Sequence, residues 1–273
     1  MTLPLEDNYE DILGKAMRGL GVTPEELAGR ATLDREQIAA QLRGDFSPQA
    51  ALALAPHLHL DADTLVASGQ QAWYPDVPIV PGIRQFTSNW KSMTVNAYAA
   101  WDDNGDAAIF DTGADIAALL KAASVHPMRV QAICITHCHA DHVARLGSLR
   151  EAFPKATVYA SRREPIEWAI LLEEGDDLVA GDLRIEARLT WGHSPGGLTY
   201  VVRGLGRLVA VVGDALFAGS MGGGSVSWSD ALDTNRKQIF TLPDETAICP
   251  GHGPMTTVAQ EKEHNPFYPE FKS

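Results

Sequence analysis

The chain has 273 residues, enough for one large domain or for a small one joined to a medium one. Its formal net charge is -13 and its pI about 5.0, so it repels phosphate backbones and anionic membrane surfaces. No apolar stretch is long enough to span a bilayer, the acidic start lacks the basic-then-apolar order of a secretory signal, and the sparse cysteines Cys134, Cys138 and Cys249 suit reduced thiols; the expectation is a cytoplasmic protein with neither a nucleic-acid nor a membrane partner.

The first 70 residues read as short helices. Tyr9 to Leu20 has helical apolar spacing and stops at Gly21. Thr23-Pro-Glu-Glu26 opens a second helix, with Thr23 as N-cap, Pro24 in the first turn and Glu26 completing a capping box. A third runs from Asp34 to Arg43, Ser47 and Pro48 start a fourth, and a fifth follows Asp61. This order, with Val22 to Gly44 at its centre, resembles the helix-turn-helix domain of phage-repressor-type regulators. The charges point elsewhere. Residues 1–70 hold five Lys/Arg and eleven Asp/Glu, and the candidate recognition helix begins Asp34-Arg-Glu36, whereas a DNA reader needs cations to displace counterions. The expected role is packing, against the rest of the chain or in a homo-oligomer, with DNA binding as the alternative.

Residues 71–82, with Pro75, Pro78 and Pro81, read as a stiff linker. Beyond them strands and helices alternate. Strands are expected at Ala107–Phe110, Val130–Thr136, Thr157–Ala160, 183–190, 198–203, 207–212 and Thr246–Cys249. Helices are expected at Asp115–Ala123, Val143–Phe153, Pro165–Glu173, Asp230–Thr241 and Thr257–Glu263. The mixture implies a layered α/β domain.

One cluster carries chemistry. In Ile135-Thr-His-Cys-His-Ala-Asp-His142 a buried strand ends and the chain leaves it extended, so His137 and His139, two apart, can grip one ion. Asp141 and His142 lie where the next helix opens and can face a second. Imidazole with carboxylate suits zinc, iron or manganese. Trp191-Gly-His-Ser-Pro-Gly-Gly197 presents His193 in a tight loop, Val211-Val-Gly-Asp-Ala-Leu216 puts Asp214 just past an apolar strand, and Cys249-Pro-Gly-His-Gly-Pro254 puts His252 in another tight loop. Glycines beside each allow backbone to approach an ion closely. Asp111, at a strand end, is either a loop cap or a partner that orients a ligand histidine. Alternation turns Cys138 away from the metals, and Cys134 and Cys249 read as core. His57, His59, His126 and His264 read as surface or packing residues. Trp73, Trp90, Trp101 and Trp228 are core or pocket wall.

The order H-x-H-x-D-H, then His193, Asp214 and His252, resembles the metallo-β-lactamase superfamily over about residues 78–273. Gly192-His-Ser-Pro-Gly196, Gly213 to Ser220, and Pro250-Gly-His-Gly-Pro-Met-Thr-Thr257 with Glu261 to Phe267 are similar to glyoxalase II-type hydrolases. The resemblance implies an αββα sandwich over residues 83–273, behind a small all-α, helix-turn-helix-like domain at 1–70. It implies His137, His139 and His193 on one metal, Asp141, His142 and His252 on a second, and Asp214 between them. Two divalent ions, zinc foremost with iron or manganese as alternatives, would acidify a shared water that attacks a thioester or related ester, with Asp141 as the catalytic carboxylate. The departures bear on substrate. Glyoxalase II enzymes carry basic and tyrosyl residues after the shared aspartate, but Ser220 to Trp228 has no Lys, Arg or Tyr, so glutathione carboxylates lack an evident partner. The spelling His-Cys-His-Ala-Asp-His also occurs in mononuclear iron persulfide dioxygenases, the competing enzyme class, although these lack the Pro-Gly-His-Gly-Pro ending.

Overall fold

The structure is a computed structural model that describes residues 2–272; Met1 and Ser273, the outer ends of the expected domains, lie outside the described residues. Helices α1 (Tyr9–Leu20), α2 (Pro24–Ala31), α3 (Arg35–Leu42), α4 (Pro48–Leu54) and α5 (Ala62–Gly69) come first. The sequence signals that set their ends are visible in the bonds. Thr23 Oγ1 accepts from the Glu26 N–H at 3.2 Å, and the Glu26 carboxylate accepts from the Thr23 N–H at 2.9 Å, which closes the capping box.

The rest of the chain forms two six-stranded sheets. The first contains β1 (Ile83–Trp90), β2 (Met93–Trp101), β3 (Asp106–Phe110), β4 (Arg129–Cys134), β5 (Thr157–Ser161) and β6 (Ile170–Leu172), in that order. The second runs β12 (Thr256–Thr257), β11 (Ala247–Pro250), β10 (Val209–Gly213), β9 (Leu198–Arg203), β8 (Leu183–Leu189) and β7 (Asp177–Ala180). Helices α6 (Ala117–Val125), α7 (Ala140–Val143), α8 (Leu146–Ala152), α9 (Trp228–Gln238) and α10 (Val258–His264) connect or follow them.

Strand alternation builds the layers. Tyr98, Ala100, Phe110 and Cys134 of the first sheet meet Ile185, Tyr200, Val202, Val211 and Cys249 of the second in one core between the sheets. Their neighbours Ala99, Ile109 and Ile133 face outward against Leu119, Ala122, Leu146 and Leu149 of α6 and α8. On the other side Val201, Ala210, Val212 and Ile248 face outward in a cluster that includes Ala231 of α9 and Val258 of α10. Ile12, Leu13, Leu27, Ile38, Leu54 and Leu65 of the N-terminal helices belong to that same cluster. The arrangement is the αββα sandwich that the sequence implied, with the helical region laid over one face. No helix is long and apolar enough to cross a membrane among the described residues.

Two expectations need correction. Pro165–Glu173 is not a helix: one turn at Ile166–Ala169 gives way to β6, because Ile170 and Leu172 pair in parallel with Tyr159 and Ser161 and the sheet overrides local helical preference. Val143–Phe153 is two pieces, the short α7 and then α8. The hairpin of β1 and β2 had no expected counterpart; it pairs from Ile83↔Ala100 to Trp90↔Met93 around Lys91, whose φ is 54°. Residues 71–82, expected as a stiff linker, bond to the rest of the chain: Asp76 N–H donates to Gln260 Oε1 at 2.6 Å, Gln260 donates back to Asp76 O at 3.1 Å, and the Tyr74 hydroxyl donates to Leu3 O at 2.8 Å.

Candidate metal centre

All seven residues singled out in the sequence meet at one edge of the sandwich. The loop after β4 brings His137 and His139, α7 brings Asp141 and His142, the turn between β8 and β9 brings His193, and the ends of β10 and β11 bring Asp214 and His252. Single ligand atoms of His137, His139, His193 and Asp214 lie within 4.8 Å of one another, and so do those of Asp141, His142 and His252. Asp214 stands between the two groups. Its Oδ2 is 3.3 Å from both His193 Nε2 and His252 Nε2 and 3.7 Å from His137 Nε2, while its Oδ1 is 3.2 Å from His142 Nε2. Asp141 Oδ2 is 3.4 Å from His252 Nε2 and 3.8 Å from His142 Nε2.

On four of the five histidines the remaining ring nitrogen is anchored, which aims the other inward. His142 Nδ1 faces Asp111 Oδ2 at 2.8 Å, His193 Nδ1 faces Gly223 O at 2.9 Å, and His252 Nδ1 faces Thr94 O at 2.5 Å. His137 Nδ1 meets Thr136 Oγ1 at 3.1 Å, and that hydroxyl donates to Asp111 at 2.7 Å. Asp111 therefore orients a histidine rather than merely capping its loop. Bare backbone makes room: a Cβ on Gly251 would stand 2.2 Å from Asp214 Oδ1, and one on Gly222 would stand 1.9 Å from Asp214 O.

The residues present fit metal ions. His137 Nε2, His142 Nε2 and Asp214 Oδ1 are buried without a hydrogen-bond partner, a condition that costs about 1–3 kcal/mol per group in a closed protein. His193 Nε2 and His139 Nδ1 face each other at 3.1 Å, where two lone pairs can converge on a cation. Burial pushes Asp214 up, yet the facing His142 and His252 outweigh it and hold the carboxyl well below its usual range. Burial, with the charge of His142 beside it, keeps His137 well below the usual imidazole value. For His252 burial is outweighed by Asp214, and the ring is pushed up to about 9. A negative, convergent, partly orphaned donor set is suited to binding metal ions.

Other residues around the centre carried no sequence signal. Glu164 joins two ligand loops: it accepts from the Ser194 hydroxyl at 2.7 Å, from Gly196 N–H at 2.9 Å and from Cys138 N–H at 3.4 Å. Glu6 reaches in from the N-terminal segment to 4.0 Å from His252 Nδ1. Asp7 bonds both Lys15 and the Ser220 hydroxyl, and Lys15 Nζ donates to Met221 O at 2.8 Å. Cys138 turns its thiol to Glu164 O at 3.5 Å and belongs to neither candidate ligand group. Cys134 and Cys249 are buried in the core. Trp101 stacks on His126, Trp73 on His264, and Trp228 packs edge-on against Phe267.

The sequence profile of the Metallo-beta-lactamase superfamily matches residues 92–252, more than half of the chain, and the chain belongs to that superfamily. It is 30% identical over 213 residues to a probable metallo-hydrolase of Bacillus subtilis (strain 168), YqgX, a match covering 65% of this chain and 96% of that protein. It is 26% identical over 196 residues to the hydroxyacylglutathione hydrolase GloC of Haemophilus influenzae, covering 63% of this chain and 92% of that one. The crystal structure of ETHE1 from Myxococcus xanthus superposes with a TM-score of 0.62 at 28% identity, over 69% of this chain and 84% of that chain. Helices α1–α5 lie outside the residues that the superfamily profile matches.

Proposed function

We propose that the protein is a dinuclear metallohydrolase that cleaves thioesters or related esters in the manner of glyoxalase II, using His137, His139 and His193 for one ion, Asp141, His142 and His252 for the other, and Asp214 for both. The observation that carries this reading is the position of Asp214, whose two oxygens face both groups at 3.2–3.7 Å. When bound, divalent ions supply a water acidified toward neutrality and a Lewis-acid contact for the developing oxyanion. The chain's own residues do the rest. Asp141 faces His252 and His142 with its Oδ2 and is the carboxylate placed to orient the attacking water and hold its proton. Asp111 and Thr136 fix the ring planes of His142 and His137. A thiolate leaves without protonation, so no separate general acid is needed at the far side.

The substrate is proposed to be less anionic than a glutathione thioester. Ser220 to Trp228 has no cation, and Lys15, which reaches Met221 O, is already paired with Asp7. Cleavage of S-D-lactoylglutathione is expected to be poor beside that of uncharged thioesters, and a strong dependence of kcat/KM on the glutathione carboxylates would contradict this. ETHE1, a name also carried by a human persulfide dioxygenase, gives the competing assignment of one iron. Metal analysis of the purified protein, paired with a screen of thioesters, lactones and β-lactams, separates the two. About two ions per chain and ester cleavage support hydrolysis. A single iron, with oxygen consumed on a persulfide and no loss in His252→Ala, would overturn it.

A further inference from the structure

A second concavity lies away from the metal centre, between the N-terminal helices and the loop that follows Asp214. It measures about 530 Å³, within the range of small-molecule sites, and Tyr9, Glu10, Phe46, Trp73, Tyr74 and Gly219 are among its lining residues. No Lys or Arg lines it, and four of those residues are aromatic. Three are seated on bare backbone. The Phe46 ring passes 2.1 Å from where a Cβ on Gly69 would stand, the Trp73 ring 2.9 Å from one on Gly219, and the Glu10 carboxylate 3.2 Å from one on Gly44. Side chains at Gly69 and Gly219 would push the Phe46 and Trp73 rings out of place. Trp73 is further braced by His264, stacked at 4.7 Å.

The carboxylates nearby differ in one respect. Asp7 is matched by Lys15, and Asp11 accepts from Asn8 N–H. Glu10, half-buried, has neither an ion-pair nor a hydrogen-bond partner among the described residues (its neighbour Gly44 offers no side chain to it). Burial pushes His264 down, away from its charged form. An aromatic-lined cavity with one unmatched carboxylate in a chain of net charge -13 favours a cation and rejects an anion.

We propose that this cavity binds a small organic cation, an alkylammonium or quaternary ammonium group, with its charge toward Glu10 and its carbon atoms against Phe46 and Trp73. The site is separate from the metal centre but shares a wall with it. Pro4, Leu5, Asp7 and Asn8 line the cavity, while Glu6 of the same segment lies 4.0 Å from His252 Nδ1.

The test uses the full chain as purified, titrated calorimetrically with tetramethylammonium and with n-butyltrimethylammonium chloride. The neutral control is 3,3-dimethyl-1-butanol, which keeps the branched shape without the charge. Saturable binding of the cations is expected, with the alcohol weaker by about tenfold or more, and with Glu10→Gln and Trp73→Leu each weakening the cations by about tenfold. Glu10→Gln keeps the size of a half-buried side chain, so its loss of binding is readable even if Trp73→Leu impairs folding. Absence of saturation up to about 10 mM, equal affinity for the alcohol, or full affinity in Glu10→Gln would each overturn the proposal.

Discussion

Asp111 holds two histidines from one carboxylate, at a backbone φ of 55° that most side chains avoid. It faces His142 Nδ1 directly, and it takes both the N–H and the hydroxyl of Thr136, whose oxygen meets His137 Nδ1. Each of those rings thereby keeps Nε2 free for an ion. Asp111→Ala should lower metal affinity about 10–100-fold, read by competition with a chromogenic chelator; unchanged affinity would show that the rings hold themselves. Gly251 is the steric counterpart. With its Cβ placed 2.2 Å from Asp214 Oδ1 and 2.7 Å from His142 Cε1, Gly251→Ala has to displace the shared carboxylate, and bound metal should fall. Gly147→Ala, whose Cβ would meet nothing within 4 Å, is the matched control and should keep its metal.

At the scale of elements, α10 delivers a buried carboxylate that is not a ligand. Glu261 is fully buried, takes Thr256 Oγ1–H at 2.9 Å, Asn265 Nδ2–H at 2.8 Å and Gly219 N–H at 3.0 Å, and is pushed up to about 7 because burial outweighs those donors. A carboxyl raised on folding binds more protons in the native state than in the unfolded one between pH 4.5 and about 7. Its contribution to stability is complete below that window and is lost as pH rises through it. Glu261→Gln should flatten this decline, seen as a smaller difference in urea midpoint between acid and neutral pH; an identical decline in the variant would place the titration elsewhere. The elements also show what sequence makes legible. Helices α1–α5 were read closely because caps such as Thr23 and Asp34 are local chemistry. The candidate ligands stood out because four of them fall within six residues and the other three sit beside turn glycines. β6 and the β1–β2 hairpin were not, because their pairing partners set them rather than their own periodicity. Glu6, Thr94 and Glu164 were invisible for the same reason: each acts on a ligand loop far away in the chain, and a lone Glu or a backbone carbonyl leaves no pattern.

At the scale of the whole molecule, the N-terminal helices share their apolar cluster with the outer face of the second sheet. Ile12, Leu13 and Leu54 belong to the cluster that contains Val212, Leu216, Ile248 and Phe267. Removing residues 1–70 would uncover that face, and exposed apolar patches of this kind drive association. It would also remove Glu6 from His252 and the Asp7–Lys15 pair from Ser220 and Met221. The truncated protein should therefore lose solubility or change oligomeric state in size-exclusion chromatography. The helix-turn-helix resemblance leads to a different expectation, DNA binding, and the charges decide between them. On α3, the helix in the recognition position, Arg35 pairs with Glu25 at 2.8 Å; just beyond it Arg43 pairs with Glu36 at 2.9 Å and lies 3.6 Å from Asp45. These exposed pairs contribute little to stability, but they leave few free cations to replace the counterions of a phosphate backbone. Ile38 and Gln41 are turned inward, with the Tyr9 hydroxyl donating to Gln41 at 2.9 Å, so these two positions of the helix are committed to packing. We expect no shift of duplex DNA by the full chain at physiological salt. Micromolar binding there would sink the packing role, and so would a truncated protein that matched the full chain in size, solubility and kinetics.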